Sequence, residues 1–207
     1  MSAKSNLQLT ELHITGPYAH EGMNDDSIDA VTSIVKAVRL AVGPNFTLMV
    51  DVQYAFTCAK KVAQMVLDWK RLNLDVFFIE TPLRMEQISE IAYLHNILEE
   101  NDCSTKIAFG EWQATHYEFK ELVHSANVDV LQPDVGRVGG LTEAMRVLKL
   151  ASSMGKLIVP HVWKTGIGIA ATAHLAMVAG STLCPFIEFL PASLTNSPLR
   201  QRLTIGM

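Results

Sequence analysis

A long apolar run is missing from these 207 residues. No segment reaches the roughly 20 uninterrupted apolar positions of a membrane span, and the polar stretch from Met1 to Gln8 lacks the apolar core of a secretion signal. No membrane partner is expected. Cysteine is equally scarce: Cys58, Cys103 and Cys184 share no metal-type spacing, and an odd count does not close a disulfide framework, so the expected compartment is the reducing cytoplasm. A strong excess of one charge is also lacking. Seventeen Lys and Arg stand against 21 Asp and Glu, a net charge of −4, with the basic residues scattered and never interleaved with aromatics as a nucleic-acid groove requires. Nucleic acid is therefore not an expected partner. No Pro/Gly/Ser-rich linker, low-complexity tract or charge run divides the chain, so residues 1–207 read as a single domain.

What the chain does have is 49% hydrophobic residues, enough for one substantial core. They occur as short runs: Leu48-Met49-Val50, Val76-Phe77-Phe78-Ile79, Ile107-Ala108-Phe109, Val128 to Leu131, Leu157-Ile158-Val159 and Phe186-Ile187, with a weaker run from Leu9 to Ile14. Successive apolar residues, not alternating ones, mark strands covered on both faces. Between them lie segments with helical spacing, such as Ile28, Val31, Ile34, Val35, Val38 and then Val62, Met65, Val66, Trp69. Asp26 or Ser27 is positioned to cap the first long helix, Gly43-Pro44 to stop it, and Gly139-Gly140 with Thr142 to start another. The spacing predicts helices near 27–42, 58–73, 86–100, 115–125, 140–154 and 167–180. Strand followed by helix, repeated, requires a parallel sheet. The fold class is α/β, a TIM-type parallel β/α barrel that is incomplete, with about seven of its eight strands.

Each apolar strand after the first ends in an ionisable residue: Asp51, Glu80, Glu111, Asp134, His161 and Glu188. One polar residue at a strand end marks only where a buried strand surfaces. Six in register is a different matter, because buried charges cost several kcal/mol each unless paired or bound to metal. Asp51, Glu80 and Glu111 supply hard oxygen ligands suited to octahedral Mg²⁺, with Mn²⁺ fitting almost as well. Asp134 and His161 fall on adjacent strand ends, where the carboxylate can accept the Nδ1 proton and hold the imidazole ready as a base.

The run of strand-end acids, together with IETP, GEWQAT, QPDVGRVGG and PHVWKTG, resembles the mandelate racemase branch of the enolase superfamily and, within it, the acid-sugar dehydratases. The resemblance covers nearly the whole chain. It implies a metal that binds a substrate carboxylate, a base that removes the α-proton, and an enediolate stabilised by the metal. Matched residue by residue, Asp51, Glu80 and Glu111 are the metal ligands, His161 and Asp134 the dyad, and Glu188 the acid that hydrogen-bonds the substrate carboxylate as charge builds.

Racemases of this branch carry Lys-x-Lys on the second barrel strand, whereas this chain has Glu11-Leu12-His13-Ile14-Thr15-Gly16. Racemisation needs proton donors on both faces of the substrate carbon. Syn elimination of water needs one histidine, so dehydration is the expected chemistry. An epimerase, a cycloisomerase, or an inactive homologue acting as an interaction module are the alternatives. HITGPYAHEG resembles the segment of rhamnonate-type dehydratases, which makes His13, Tyr18 and His20 candidates for substrate contact, as is Lys164 just past His161. Arg137 either pairs with the site carboxylates or caps a helix. His95, His116, His124 and His174 fall in helices, away from the strand ends. The family resemblance also implies an N-terminal capping domain, a first barrel strand and a C-terminal tail that are missing here, so a fragment or a separately supplied remainder is expected. The expected partner is a small-molecule acid sugar, and exposed sheet edges make a homo-oligomer expected too.

Overall fold

A computed structural model describes residues 24–162 and 165–188, together with the backbone of the strand Leu9–His13. Strands and helices alternate along it: β1 (Leu9–His13), α1 (Ile28–Val42), β2 (Thr47–Asp51), α2 (Ala59–Arg71), β3 (Val76–Glu80), α3 (Ile88–Glu100), β4 (Lys106–Phe109), α4 (His116–His124), β5 (Val130–Leu131), α5 (Leu141–Ser153), β6 (Leu157–Ile158) and α6 (Gly166–Ala179). The chain divides into two compact units, residues 1–108 with 125–128 and residues 109–124 with 129–207.

In the first unit β1, β2 and β3 pair in parallel, and β3 pairs with β4. β2 and β3 are apolar on consecutive residues because both of their faces are covered: Leu48, Val50, Phe78 and Ile79 are fully buried. The outer layer is helical, with α1 against α2 and α2 against α3. In α2 the stripe Val62, Met65, Val66 and Trp69 is buried, each side chain contributing about 1.5–3 kcal/mol of transfer free energy. Trp69 satisfies its indole N–H on the Thr32 hydroxyl of α1 at 3.0 Å. Below the strands, Arg39 of α1 is buried and donates to the carbonyls of Gly43, Phe46, Leu74 and Asp75, which satisfies the backbone where β2 and β3 begin. Ser27 occupies the N-cap position of α1 but makes no side-chain cap bond; its hydroxyl accepts the Asn24 N–H instead.

The second unit pairs β5 with β6 in parallel, and α5 packs against α4, α6 and β6. Both strands are only two residues long. Phe186-Ile187, expected as a further strand, is irregular, though the neighbouring Leu183 carbonyl accepts the Ile158 N–H at 2.9 Å. Among the described residues no helix is long and apolar enough to cross a membrane.

Candidate functional site

In the first unit the strand ends are aligned by register: His13 is the partner of Asp51, and Asp51 of Glu80. Partners on neighbouring parallel strands share a face, so the two acids stand side by side. Each is only 4% exposed. The backbone just beyond them is unusual. Gln53, Tyr54 and Thr81 all have positive φ, at 43°, 59° and 44°, a conformation that costs a non-glycine residue energy and that clusters at functional sites. The strained turn places the Gln53 N–H and the Thr81 hydroxyl on the same Asp51 oxygen, Oδ1, each at 2.8 Å. Asp51 is thereby fixed in orientation.

In the second unit Glu111 follows Gly110, whose φ of 132° only glycine adopts readily. A Cβ there would collide with the Phe119 ring, and the Gln132 backbone nitrogen lies 3.1 Å away. The Gly-Glu pair of GEWQAT is thus a packing requirement that delivers the carboxylate. Asp134 accepts the Gly136 N–H through Oδ1 at 2.7 Å and contacts His161 Nδ1 through Oδ2 at 2.9 Å. Nε2 of the same ring lies 3.0 Å from Glu111 Oε2 and 3.9 Å from Glu188 Oε2, and that Glu188 oxygen accepts the Val162 N–H. His161 is 6% exposed. Burial opposes its charge, but the hydrogen bonds to Asp134 and Glu111 and the field of Glu188 outweigh it and raise its pKa from 6.5 to about 9.

The structure therefore brings together four of the six strand-end residues, Glu111, Asp134, His161 and Glu188, in one unit, and the other two, Asp51 and Glu80, in the other. Two buried carboxylates in lateral register repel one another, and a hard divalent cation is the group whose charge and oxygen preference such a donor set fits. Among the described residues, no group of three or more His, Cys, Asp or Glu side chains is arranged to hold a metal ion, and Glu111 turns its carboxylate to His161 and Arg137. The His13 side chain, Tyr18, His20 and Lys164 lie outside the described residues. His95, His124 and His174 lie within helices, and His116 opens α4, where Nδ1 contacts Glu143 of α5 at 2.6 Å.

The sequence of residues 10–204 matches the model of the enolase C-terminal domain-like family. The chain belongs to this family. Its resemblance to the mandelate racemase branch of the enolase superfamily holds, and the fold is the parallel β/α barrel type of those enzymes. Relatives include D-galactarolactone cycloisomerase of Agrobacterium fabrum (strain C58 / ATCC 33970), 30% identical over 81% of this chain and 43% of that protein. Arabinonate dehydratase of Saccharolobus solfataricus (strain ATCC 35092 / DSM 1617 / JCM 11322 / P2) is 29% identical over 82% of this chain and 42% of its own length. The chain thus spans under half the length of these relatives. Among solved structures, rhamnonate dehydratase from Gibberella zeae complexed with Mg superposes with a TM-score of 0.67 at 27% identity, covering 80% of this chain and 37% of that one.

Sequence reasoning missed the contacts of two residues beside the strand-end acids. Thr81 lies within IETP, but nothing in a β-branched residue before proline reveals that its hydroxyl reaches back to Asp51. Trp112 lies within GEWQAT, where the motif alone gives it no partner, and its ring centroid lies 3.8 Å from the Arg137 guanidinium carbon.

Proposed function

We propose that this chain is the barrel portion of a Mg²⁺-dependent acid-sugar dehydratase. The observation that supports this most is the His161 imidazole, held through Nδ1 by a buried carboxylate and turning Nε2 toward further carboxylates. Asp51, Glu80 and Glu111 are the residues that would hold the cation. When bound, it supplies positive charge beside the substrate carboxylate, where negative charge accumulates as the α-proton leaves.

His161 accepts that proton at Nε2, while Asp134 Oδ2 accepts the hydrogen bond from Nδ1–H and stabilises the charged ring. Base action needs the Nε2 lone pair, so the Glu111 carboxylate must leave the imidazole before the proton is taken. His161 then delivers the proton to the departing β-hydroxyl on the same face. Glu188, whose Oε2 accepts the Val162 N–H, would share a proton with the substrate carboxylate. β1 carries Glu11-Leu12-His13 where a second-face lysine pair would stand, which favours one-histidine elimination over racemisation.

Incubation with a panel of aldonic and aldaric acids in deuterated water is the test. A 2-keto-3-deoxy product is expected, lost on His161→Asn. Deuterium at the α-carbon without loss of water supports the second reading, a cycloisomerase, which the likeness to D-galactarolactone cycloisomerase favours. Absence of both across the panel overturns the enzymatic reading. A homo-oligomer remains part of the proposal.

A further inference from the structure

Arg137 follows the Asp134 turn, its N–H donating to the Asp134 carbonyl at 2.9 Å, and its guanidinium lies 3.8 Å over the Trp112 ring. Trp112 is 52% exposed and its indole presents a flat surface, against which a planar guanidinium loses little more freedom when it bonds. From that position NH1 donates to the Glu111 carbonyl at 3.1 Å and lies 3.7 Å from Glu111 Oε2, while Nε lies 3.9 Å from Asp134 Oδ2. Those two carboxylate oxygens are the same atoms that contact the two nitrogens of His161, Oε2 at Nε2 and Oδ2 at Nδ1.

We infer that Arg137, braced on Trp112, is a positioning residue that sets where Glu111 and Asp134 present their oxygens and so fixes the plane of the His161 ring. It touches no reacting atom in this arrangement; it acts through the two acids. The geometry also gives Glu111 a second anchor. Its backbone carbonyl and its carboxylate both face Arg137 NH1, at 3.1 Å and 3.7 Å. Lysine does not replace this function fully, because a point charge cannot lie flat on the indole and reach a carbonyl and two carboxylates together.

The inference rests on the functional reading only where it concerns turnover, and the experiment separates the two. In the metal-free full chain, the His161 ring signals are compared by NMR in wild type, Arg137→Met, Arg137→Gln and Arg137→Lys, with thermal unfolding measured alongside. The expected result is one sharp set of ring signals in wild type, shifted or split in the Met and Gln variants and partly restored in the Lys variant, with melting temperatures close to wild type. Trp112→Leu is expected to give the same kind of change in smaller measure. If either folded Met or Gln variant leaves the His161 signals unchanged, the positioning role is overturned, whatever the activity. Where wild type exchanges the α-hydrogen of an acid sugar, a drop of about 100-fold in kcat with little change in KM is expected for Arg137→Met. A change confined to KM would overturn the role. If wild type exchanges nothing, the functional reading has failed, and the ring signals alone decide the role of Arg137.

Discussion

At the scale of single residues, the site depends on partners that orient its carboxylates. Thr81 is the clearest case: a fully buried hydroxyl, in a backbone conformation costly for a β-branched residue, donates to Asp51 Oδ1. Replacing it with valine keeps the shape and removes the donor. Groups that orient a metal ligand from behind are worth about 10–100-fold in affinity. Thr81→Val is therefore expected to weaken Mn²⁺ binding by about tenfold or more, read by titration, with secondary structure intact; unchanged affinity would count against the assignment of Asp51. The six strand-end residues themselves were legible in sequence, because an ionisable residue closing an apolar run is a local pattern. Thr81 and Trp112 were not, because their contacts are with residues 30 and 25 positions away that no local pattern encodes, whereas the pairing of Arg137 with the site carboxylates was one of the two readings its position offered.

At the scale of elements, helix positions were legible to within one or two residues, since helices such as α1 and α2 carry a 3.6-residue apolar stripe, and α1 and α6, the latter apolar all round, end at Gly43 and Gly180. Strands were less so. β5 and β6 shrink to two residues, and Phe186-Ile187 forms none among the described residues, because an apolar run states burial and not whether a neighbouring chain completes its ladder. The loop after β4 offers a direct test: Gly110→Ala places a methyl group against the Phe119 ring at a positive φ, and a loss of about 1–3 kcal/mol in unfolding free energy is expected by denaturation. The entry to α2 offers another. Asp25 accepts the Thr57 and Cys58 N–H groups and the Thr57 hydroxyl; burial works against its charge, but these bonds prevail and hold its carboxyl below 3.8. A depressed carboxyl contributes stability that is present above pH 3.8 and lost as pH falls through the lower folded value. Asp25→Asn is expected to destabilise the chain near neutrality and to lessen its acid sensitivity, measured as melting temperature against pH.

At the scale of the whole molecule, the proposed chemistry divides between the two units. One presents Asp51 and Glu80; the other presents Glu111 with the dyad and Glu188. The central claim is that three carboxylates from positions 51, 80 and 111 serve one cation. Mn²⁺ titration of the full chain, followed by electron paramagnetic resonance, tests it most directly, in wild type, Glu80→Gln and Glu111→Gln. The account predicts one bound Mn²⁺ per wild-type chain and a comparable loss of affinity in both variants, although they lie in different units. Wild-type affinity in either folded variant would contradict it.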